Sequence, residues 1–412
     1  MNSDTFTLGI IRETREDESR TPLVPNHVTK IKEKYNHVNI LVQPSKNRCF
    51  SNLEYKNSGA IIQEDLNECN IILGVKEIGT KFLNKNKTYL FFSHTSKIQS
   101  DNSSSTQGTP GMDKKELIKT ILEKDITLID YENIRNKYGA RYLGFGRFAG
   151  IVGCYNSLSL YKKFIKKINM KRAFELKNYE SLIKEIGNNK FSELKILVTG
   201  DGRVAKGVLE LLQKTNITEI SKEEYLNKKF SYPVFCNLKT EDYVKSNSKN
   251  TFNLQHFIEF PNDYKSKAHE YLLSTNVLIS AHYWDPHSPK IFELKNLNKY
   301  LNLQVIGDIT CDLNGSIPTT LKSTTIKDPY FYYNKKELSE CSQTEESIAV
   351  MAVDNLPSEL PRDSSTEFGD GVLNEVLPFI IGKDDGRIYN ATIIKKGKFL
   401  SRYSYIEKYI KK

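Results

Sequence analysis

Two short apolar runs in this chain end on residues that carry protons. In "IILGVKEIGTKFLNKNKTYLFFSHTSKIQ" (71–99), the run Ile71–Val75 is followed by Lys76, and the run Tyr89–Phe92 is followed, one serine later, by His94. Burial at a strand end disfavours the charged form of a lysine and lowers its pKa towards the range of a useful base. Histidine titrates near neutrality without such help. Placed at the C-terminal edge of a parallel sheet, where open α/β folds bind ligands, the two form an acid–base pair. Each also admits a plainer role: Lys76 can snorkel to water, and His94 can close a turn through a hydrogen bond.

Cations cluster at comparable positions. "IRETREDESRTPLVP" brings Arg12, Arg15 and Arg20 directly after the first strand-like run, and Arg141 and Arg147 follow a later one. Surface arginines are commonly just solvated, but guanidinium binds carboxylate bidentately, and a cluster at strand ends suits a substrate with several carboxylates. A further motif is "KILVTGDGRVAKGVLELL" (195–212), an apolar strand running into Gly200, Gly202, Arg203, Val204 and Ala205 and then into an apolar-periodic helix. This is GxGxxA in the strand–turn–helix setting of a dinucleotide site. Gly200 permits the turn, Gly202 lets the backbone approach a pyrophosphate, Ala205 permits close packing, and the helix N-terminus offers amide donors. The plainer alternative is a tight βα turn with no ligand.

The elements that must position these residues alternate. Strand-like runs at 7–11, 38–42, 71–75, 89–92 and 127–129 are separated by amphipathic stretches such as "PNHVTKIKEKY", with Val28, Ile31 and Tyr35 on one face. A long helix is expected from Ile151, with Leu160, Phe164 and Ile168 on one face, followed by strands at 195–199, 233–236, 277–280, 304–306 and 348–353. Alternation of this kind predicts α/β architecture with mostly parallel sheets. The 412 residues exceed one compact core. The expected division is an N-terminal catalytic domain (1–150), a dinucleotide-binding domain (151–355) and a C-terminal segment (356–412) that packs back on the first domain.

Composition excludes several classes. Net charge is +10, but lysine is spread along the chain rather than gathered in a stripe, so nucleic acid is not an expected partner. Six scattered cysteines include no CxxC pair, so neither zinc nor a disulfide framework is signalled and no metal is expected. The opening residues carry no signal-like apolar stretch, and no 18-residue apolar run occurs. No membrane partner and a cytoplasmic location are the expectation.

The quoted segments, with "GFGRFAGIVG" and "VDNLPSELPRDSS", occur in the order found in saccharopine dehydrogenase (lysine-forming). They also resemble the lysine–ketoglutarate reductase half of aminoadipic semialdehyde synthase, with alanine dehydrogenase and the transhydrogenase α subunit as broader relatives. The resemblance runs over about residues 7–375; "FFSHTSKIQ" and "VDNLPSELPR" are specific to the saccharopine branch. It implies two Rossmann-like domains around an interdomain cleft, NAD(P) as cofactor, and reversible condensation of L-lysine with 2-oxoglutarate to saccharopine. It also implies Lys76 and His94 as catalytic residues. Arg15, Arg20, Lys97, Gln99, Glu132 and Arg141 then contact substrate, and Asp308, Thr310, Asp354, Asn355 and Leu356 join the glycine turn at the cofactor. An alanine dehydrogenase-like or other imine reductase, or a catalytically silent NAD(P)-binding sensor, are the competing expectations. About twenty residues beyond the glycine turn, where NAD-specific sites place an acid, stand Ser221 and Lys222. That pair favours NADP(H), unless Glu219, Glu223 or Glu224 supplies the acid.

Overall fold

The computed structural model describes residues 5–97, 112–248 and 251–410. The chain divides into two compact units, residues 1–145 with 361–412, and residues 146–360.

The first unit begins with β1 (Phe6–Ile10), β2 (Val38–Val42), β3 (Ile61–Ile62), β4 (Ile71–Leu73), β5 (Thr88–Phe91) and β6 (Thr127–Asp130). All six pair in parallel, in the spatial order β6-β5-β4-β1-β2-β3. The central strands are apolar at nearly every position because both faces are covered. Helices α1 (Pro25–Lys34), α2 (Asn52–Asn57) and α3 (Lys114–Glu123) accompany them. In α1 Val28 and Ile31 are buried, as their spacing requires, and a proline opens the first turn. The chain starts in mid-sheet, runs outward through β2 and β3, and returns on the other side of β1 as β4. The order therefore reverses between β1 and β4, the place where an open sheet leaves a crevice at its C-terminal edge.

The second unit opens with α4 (Gly146–Tyr161) and α5 (Tyr179–Asn188). There follow β7 (Lys195–Thr199), α6 (Arg203–Leu212), β8 (Thr218–Glu219), α7 (Lys222–Asn227), β9 (Val234–Leu238) and α8 (Thr240–Tyr243). After a hairpin of β10 (Val244–Ser246) and β11 (Tyr264–Ser266) come β12 (Val277–Ser280), β13 (Val305–Asp308), β14 (Tyr330–Asn334), β15 (Glu340–Cys341) and β16 (Ser347–Met351). The sheet order is β15-β14-β16-β13-β12-β7-β9-β8, parallel except for β14 and β15. Here the reversal falls between β7 and β12. The long helix starts five residues before Ile151, at Gly146, and Leu160 and Phe164 are buried as expected. Ile168 is not: Lys167 takes a left-handed φ of 55°, the chain leaves the helix, and Ile168 is 44% exposed.

The chain from residue 361 onward belongs to the first unit. β17 (Thr392–Lys395) and β18 (Lys398–Phe399) extend its sheet antiparallel beyond β6. The helix Pro361–Glu375 seats Phe368 in an aromatic cluster, stacked on Phe145 at 4.5 Å and edge-on to Tyr131 at 5.0 Å. Among the described residues no helix is long and apolar enough to cross a membrane, and no group of acidic, histidine and cysteine side chains is placed to hold a metal ion.

Helices α4 and α6 approach through glycine. A Cβ on Gly150 would stand 2.0 Å from the Val204 carbonyl oxygen, and one on Gly207 would stand 2.0 Å from that of Arg147. Gly187 in α5 has open space beside it. Gly207→Ala is therefore expected to lower stability by about 1–3 kcal/mol or more through overpacking. Gly187→Ala is expected to raise it by about 0.4–1 kcal/mol through the unfolded state. Urea midpoints of the two variants measure the difference; equal midpoints would refute the close approach.

Candidate active site

The sequence-expected strand Ile71–Val75 stops at Leu73 as a ladder strand, for a definite reason. Beyond Gly74 the amides of Val75 and Lys76 turn to a side chain: Glu13, three residues past the end of β1, accepts them on Oε1 and Oε2 at 2.6 and 2.9 Å. That clamp sits at the reversal between β1 and β4 and fixes where Lys76 leaves the sheet. Burial and the neighbouring Glu18 push the Glu13 carboxyl up to about 8, against the pull of the two amides. Lys76 is half-buried. Burial and then the Arg20 charge lower its pKa, with Glu77 and Glu18 opposing.

His94 lies beyond β5 in a left-handed conformation, φ 53°, a region few non-glycine residues adopt outside constrained sites. Its Nδ1 is 2.7 Å from Glu77 Oε1, and Glu77 is fully buried next to Lys76 in the chain. Burial by itself would raise Glu77, but the hydrogen bond and charge of His94, then the charge of Lys76, outweigh it and hold the carboxyl down at about 2. An ionised carboxylate only accepts, so Nδ1 carries the hydrogen and Nε2 is the nitrogen left for proton exchange. Phe92 stacks on the imidazole at 6.3 Å. Lys76 and His94 are thus joined through Glu77.

A third carboxylate closes the edge. Asp130, at the end of β6, accepts from Ser93 N at 3.1 Å, Ser93 Oγ at 2.5 Å and Glu132 N at 2.8 Å. Burial and the Glu132 charge raise its pKa to about 6. Glu132 is itself buried and pairs with Arg141 at 3.2 Å. Arg20 is buried in a fork with Glu18, Nε to Oε1 at 2.7 Å, and lies over the Phe145 ring at 4.1 Å. Burial would raise Glu18, but Arg20 overrides it and keeps the carboxyl low. Arg15 is held by Asp17, Nη2 to Oδ2 at 2.8 Å.

The five arginines read from sequence have different acidic partners. Arg15, Arg20 and Arg141 each meet an acid of the first unit. Arg12 pairs with Glu64 near the surface, and Arg147 belongs to the second unit, where it forks onto Glu210 at 2.6 Å. Lys97 ends a short turn, Thr95–Lys97. Gln99 lies outside the described residues. Glu13, Glu18, Glu77 and Asp130 escaped the reading of the sequence, and so did Tyr131, whose buried Oη has no hydrogen-bond partner among the described residues. The adjacency of Glu77 to Lys76 was the available signal.

The glycine turn of the second unit fits a dinucleotide. Gly200 has φ 110°, and a Cβ there would meet the Ala281 carbonyl oxygen at 2.6 Å. Gly202, the N-cap of α6, has no side-chain cap, and a Cβ on it would have nothing within 4 Å. The space beside Gly202, at the N-terminus of α6, is thus open, as the close approach of a pyrophosphate requires. Ala205 is fully buried, while Arg203 is exposed and Val204 partly so. His282, at the end of β12, shares a hydrogen bond with Thr199 Oγ1 at 2.8 Å, and burial depresses it to about 4.

Other expected cofactor positions lie on the same C-terminal edge, and several are already engaged. Ser221 caps α7 and receives Glu224 N at 3.2 Å, and Lys222 pairs with Asp242 at 2.5 Å. Asp308 is buried, accepting from Thr310 Oγ1 at 2.5 Å and Thr320 Oγ1 at 2.6 Å. Asp354, Asn355 and Leu356 follow β16; Asn355 and Leu356 are buried, and the Leu356 side chain packs by Gly153 of α4.

The chain is similar to known proteins in sequence and in fold. Residues 9–152 match the family model "Alanine dehydrogenase/PNT, N-terminal domain". The homologues include alpha-aminoadipic semialdehyde synthase of Arabidopsis thaliana, 29% identical over 97% of this chain and 41% of that protein. The mitochondrial alpha-aminoadipic semialdehyde synthase of Mus musculus is 26% identical over 96% of this chain and 47% of its own length. A saccharopine dehydrogenase (NAD(+), L-lysine-forming) of Candida glabrata is 23% identical over 90% of both chains. The chain spans less than half the length of the semialdehyde synthases it matches. Among solved structures, an L-alanine dehydrogenase superposes with TM-score 0.65 at 13% identity, over 98% of this chain and 100% of that one. A transhydrogenase from Sinorhizobium meliloti superposes with TM-score 0.59 at 11% identity, over 96% and 100%. The fold is thus of the Rossmann type in both units.

Two outcomes follow from the buried ion pairs. Glu77 has a depressed folded-state pKa, so its contribution is complete above its ordinary value of 4.5 and is lost as pH falls towards about 2. Glu77→Gln is expected to lose less stability than the wild type between these pH values, measured as urea midpoint against pH; parallel curves would show that Glu77 is not held ionised. Arg20→Ala leaves the Glu18 carboxylate buried without its fork and is expected to cost about 3–5 kcal/mol, read from the same midpoints. A loss under 1 kcal/mol, about that of an exposed pair, would show that the fork is not buried.

Proposed function

We propose that this chain is a nicotinamide-dependent oxidoreductase that interconverts saccharopine with L-lysine and 2-oxoglutarate. The observation that carries the reading is the Lys76–Glu77–His94 junction at the ends of β4 and β5. Homology to semialdehyde synthases and saccharopine dehydrogenases supports it. To condense, the ε-amine of lysine must lose a proton before it attacks the keto carbon of 2-oxoglutarate, and water must then leave. In this reading His94 Nε2 takes and returns the amine proton, because Glu77 occupies the other ring nitrogen. Lys76, lowered by burial and by Arg20, serves the addition and loss of water. Arg15, Arg20, Lys97, Gln99 and Arg141 receive substrate carboxylates, with Glu132 nearby.

The bound dinucleotide supplies or accepts the hydride. The turn Gly200–Ala205 would hold its pyrophosphate, with Asp308, Thr310, Asp354, Asn355 and Leu356 at the remaining positions, and NADP(H) is the favoured form; Ser221, which caps α7, and Lys222, which pairs with Asp242, are already engaged.

The test is NAD(P)H oxidation with lysine plus 2-oxoglutarate, then with pyruvate plus ammonia. Turnover with the first pair alone supports the proposal. Turnover with the second alone points to an alanine dehydrogenase-like enzyme, and cofactor binding without turnover to a sensor. Lys76→Met is expected to lower turnover by roughly two to four orders of magnitude, the usual worth of a positioned acid or base, with cofactor affinity unchanged. His94→Gln is expected to do the same and to remove one limb of the pH–rate profile. Wild-type turnover in either variant takes that residue out of the mechanism.

A further inference from the structure

The strand beside the glycine turn is not the one that follows it in sequence. β9 pairs with β7 along its whole length, from Lys195 opposite Val234 to Thr199 opposite Leu238, and Gly200 N donates to Leu238 O at 2.8 Å. β8 pairs only with β9, at Thr218–Val234 and Glu219–Phe235, and forms the edge of the sheet. Ser221, just past β8, is therefore two strands away from the turn, roughly 9–10 Å in the hydrogen-bonding direction at the usual spacing. Lys239, the first residue past the bond to Gly200, is one strand away. In dinucleotide folds the ribose 2′ position is read from the end of the strand that neighbours the turn: an acid there accepts from a 2′-hydroxyl, a cation receives a 2′-phosphate. Ser221 follows Gly200 by 21 residues and Lys239 by 39. The interval between them holds β8 and α7, which move the reading position along the chain without moving it in space.

The charges at this strand end fit that placement. Asp242 is the buried acid there, and it is fully engaged: Oδ2 accepts Lys239 N at 2.9 Å and Oδ1 pairs with Lys222 at 2.5 Å. Lys222 is thereby committed to a neighbour. Lys239 is exposed, and its ammonium is in no ion pair among the described residues. Glu241 is also exposed but sits two residues further on, within α8.

We propose that Lys239 is the residue that discriminates between the two nicotinamide dinucleotides, receiving the 2′-phosphate of NADP(H), and that Ser221 takes no part. This rests on the nicotinamide-cofactor reading above. The experiment is equilibrium titration of the full chain with NADPH and with NADH, followed by nicotinamide fluorescence, with adenosine 2′,5′-bisphosphate and adenosine 5′-monophosphate as competitors. The wild type is expected to bind NADPH more tightly than NADH. Lys239→Ala is expected to weaken NADPH and the bisphosphate by about ten- to a hundredfold, the worth of a charged hydrogen bond, with NADH and the monophosphate changed by less than about twofold. Lys239→Arg should retain the preference, and Ser221→Ala should leave it intact. Equal weakening of both cofactors by Lys239→Ala, an unchanged ratio, or a ratio that moves with Ser221→Ala instead would overturn the assignment. A wild type that binds NADH and not NADPH overturns it while the cofactor reading stands; one that binds neither removes the cofactor reading itself.

Discussion

A carboxylate buried at the end of a parallel strand must find donors, and in the first unit that requirement shapes the whole C-terminal edge of the sheet. Leaving such a group unsatisfied would cost several kcal/mol, so the chain bends to supply partners. Glu13 takes the amides of Val75 and Lys76 and ends the β4 ladder. Glu77 takes the imidazole of His94 and selects its tautomer. Asp130 takes the backbone and hydroxyl of Ser93, one residue before His94. Each acid is anchored to one strand and holds the exit of another, so the positions of Lys76 and His94 follow from three local solutions to one electrostatic problem.

The same acids set the charge states. Lys76 is lowered by burial and by Arg20, while Glu77 and Glu18 oppose the shift. His94 presents Nε2 because Nδ1 is occupied. Glu13 is raised to about 8 with Glu18 close by, whereas Glu18 is kept low by its fork with Arg20. Two neighbouring glutamates are thus pushed in opposite directions, because burial dominates at Glu13 while Glu18 is forked by the Arg20 guanidinium. Environments that push like groups apart are how one site holds both a proton and a charge.

In the second unit the governing constraint is close approach of backbones. Gly150 and Gly207 let α4 and α6 meet without side chains between them, and a Cβ on Gly307 of β13 would stand 1.9 Å from Ser157 Oγ of α4. Gly200 adopts a turn that only glycine makes without strain, against Ala281 at the end of β12. The glycine turn is therefore seated at the reversal of strand order, with the N-terminus of α6 beside open space.

Much of this was legible along the chain. Apolar runs mark the strands because a residue covered on both faces must be apolar whatever its partner, and runs such as Val38–Val42, Lys195–Thr199 and Val277–Ser280 coincide with the observed strands. The glycine turn was legible because its geometry depends on adjacent residues, and the places of Lys76 and His94 just past strands because each stands within two residues of such a run. Tertiary structure alone decided who their partners are. That Glu13 would reach Val75, that the helix Pro361–Glu375 would bring Phe368 to Phe145, and that β9 rather than β8 would lie beside β7 are matters of contacts between distant residues. A strand's apolar pattern says that it will be buried in a sheet and is silent on which strand lies next to it, because backbone hydrogen bonds are the same for every sequence.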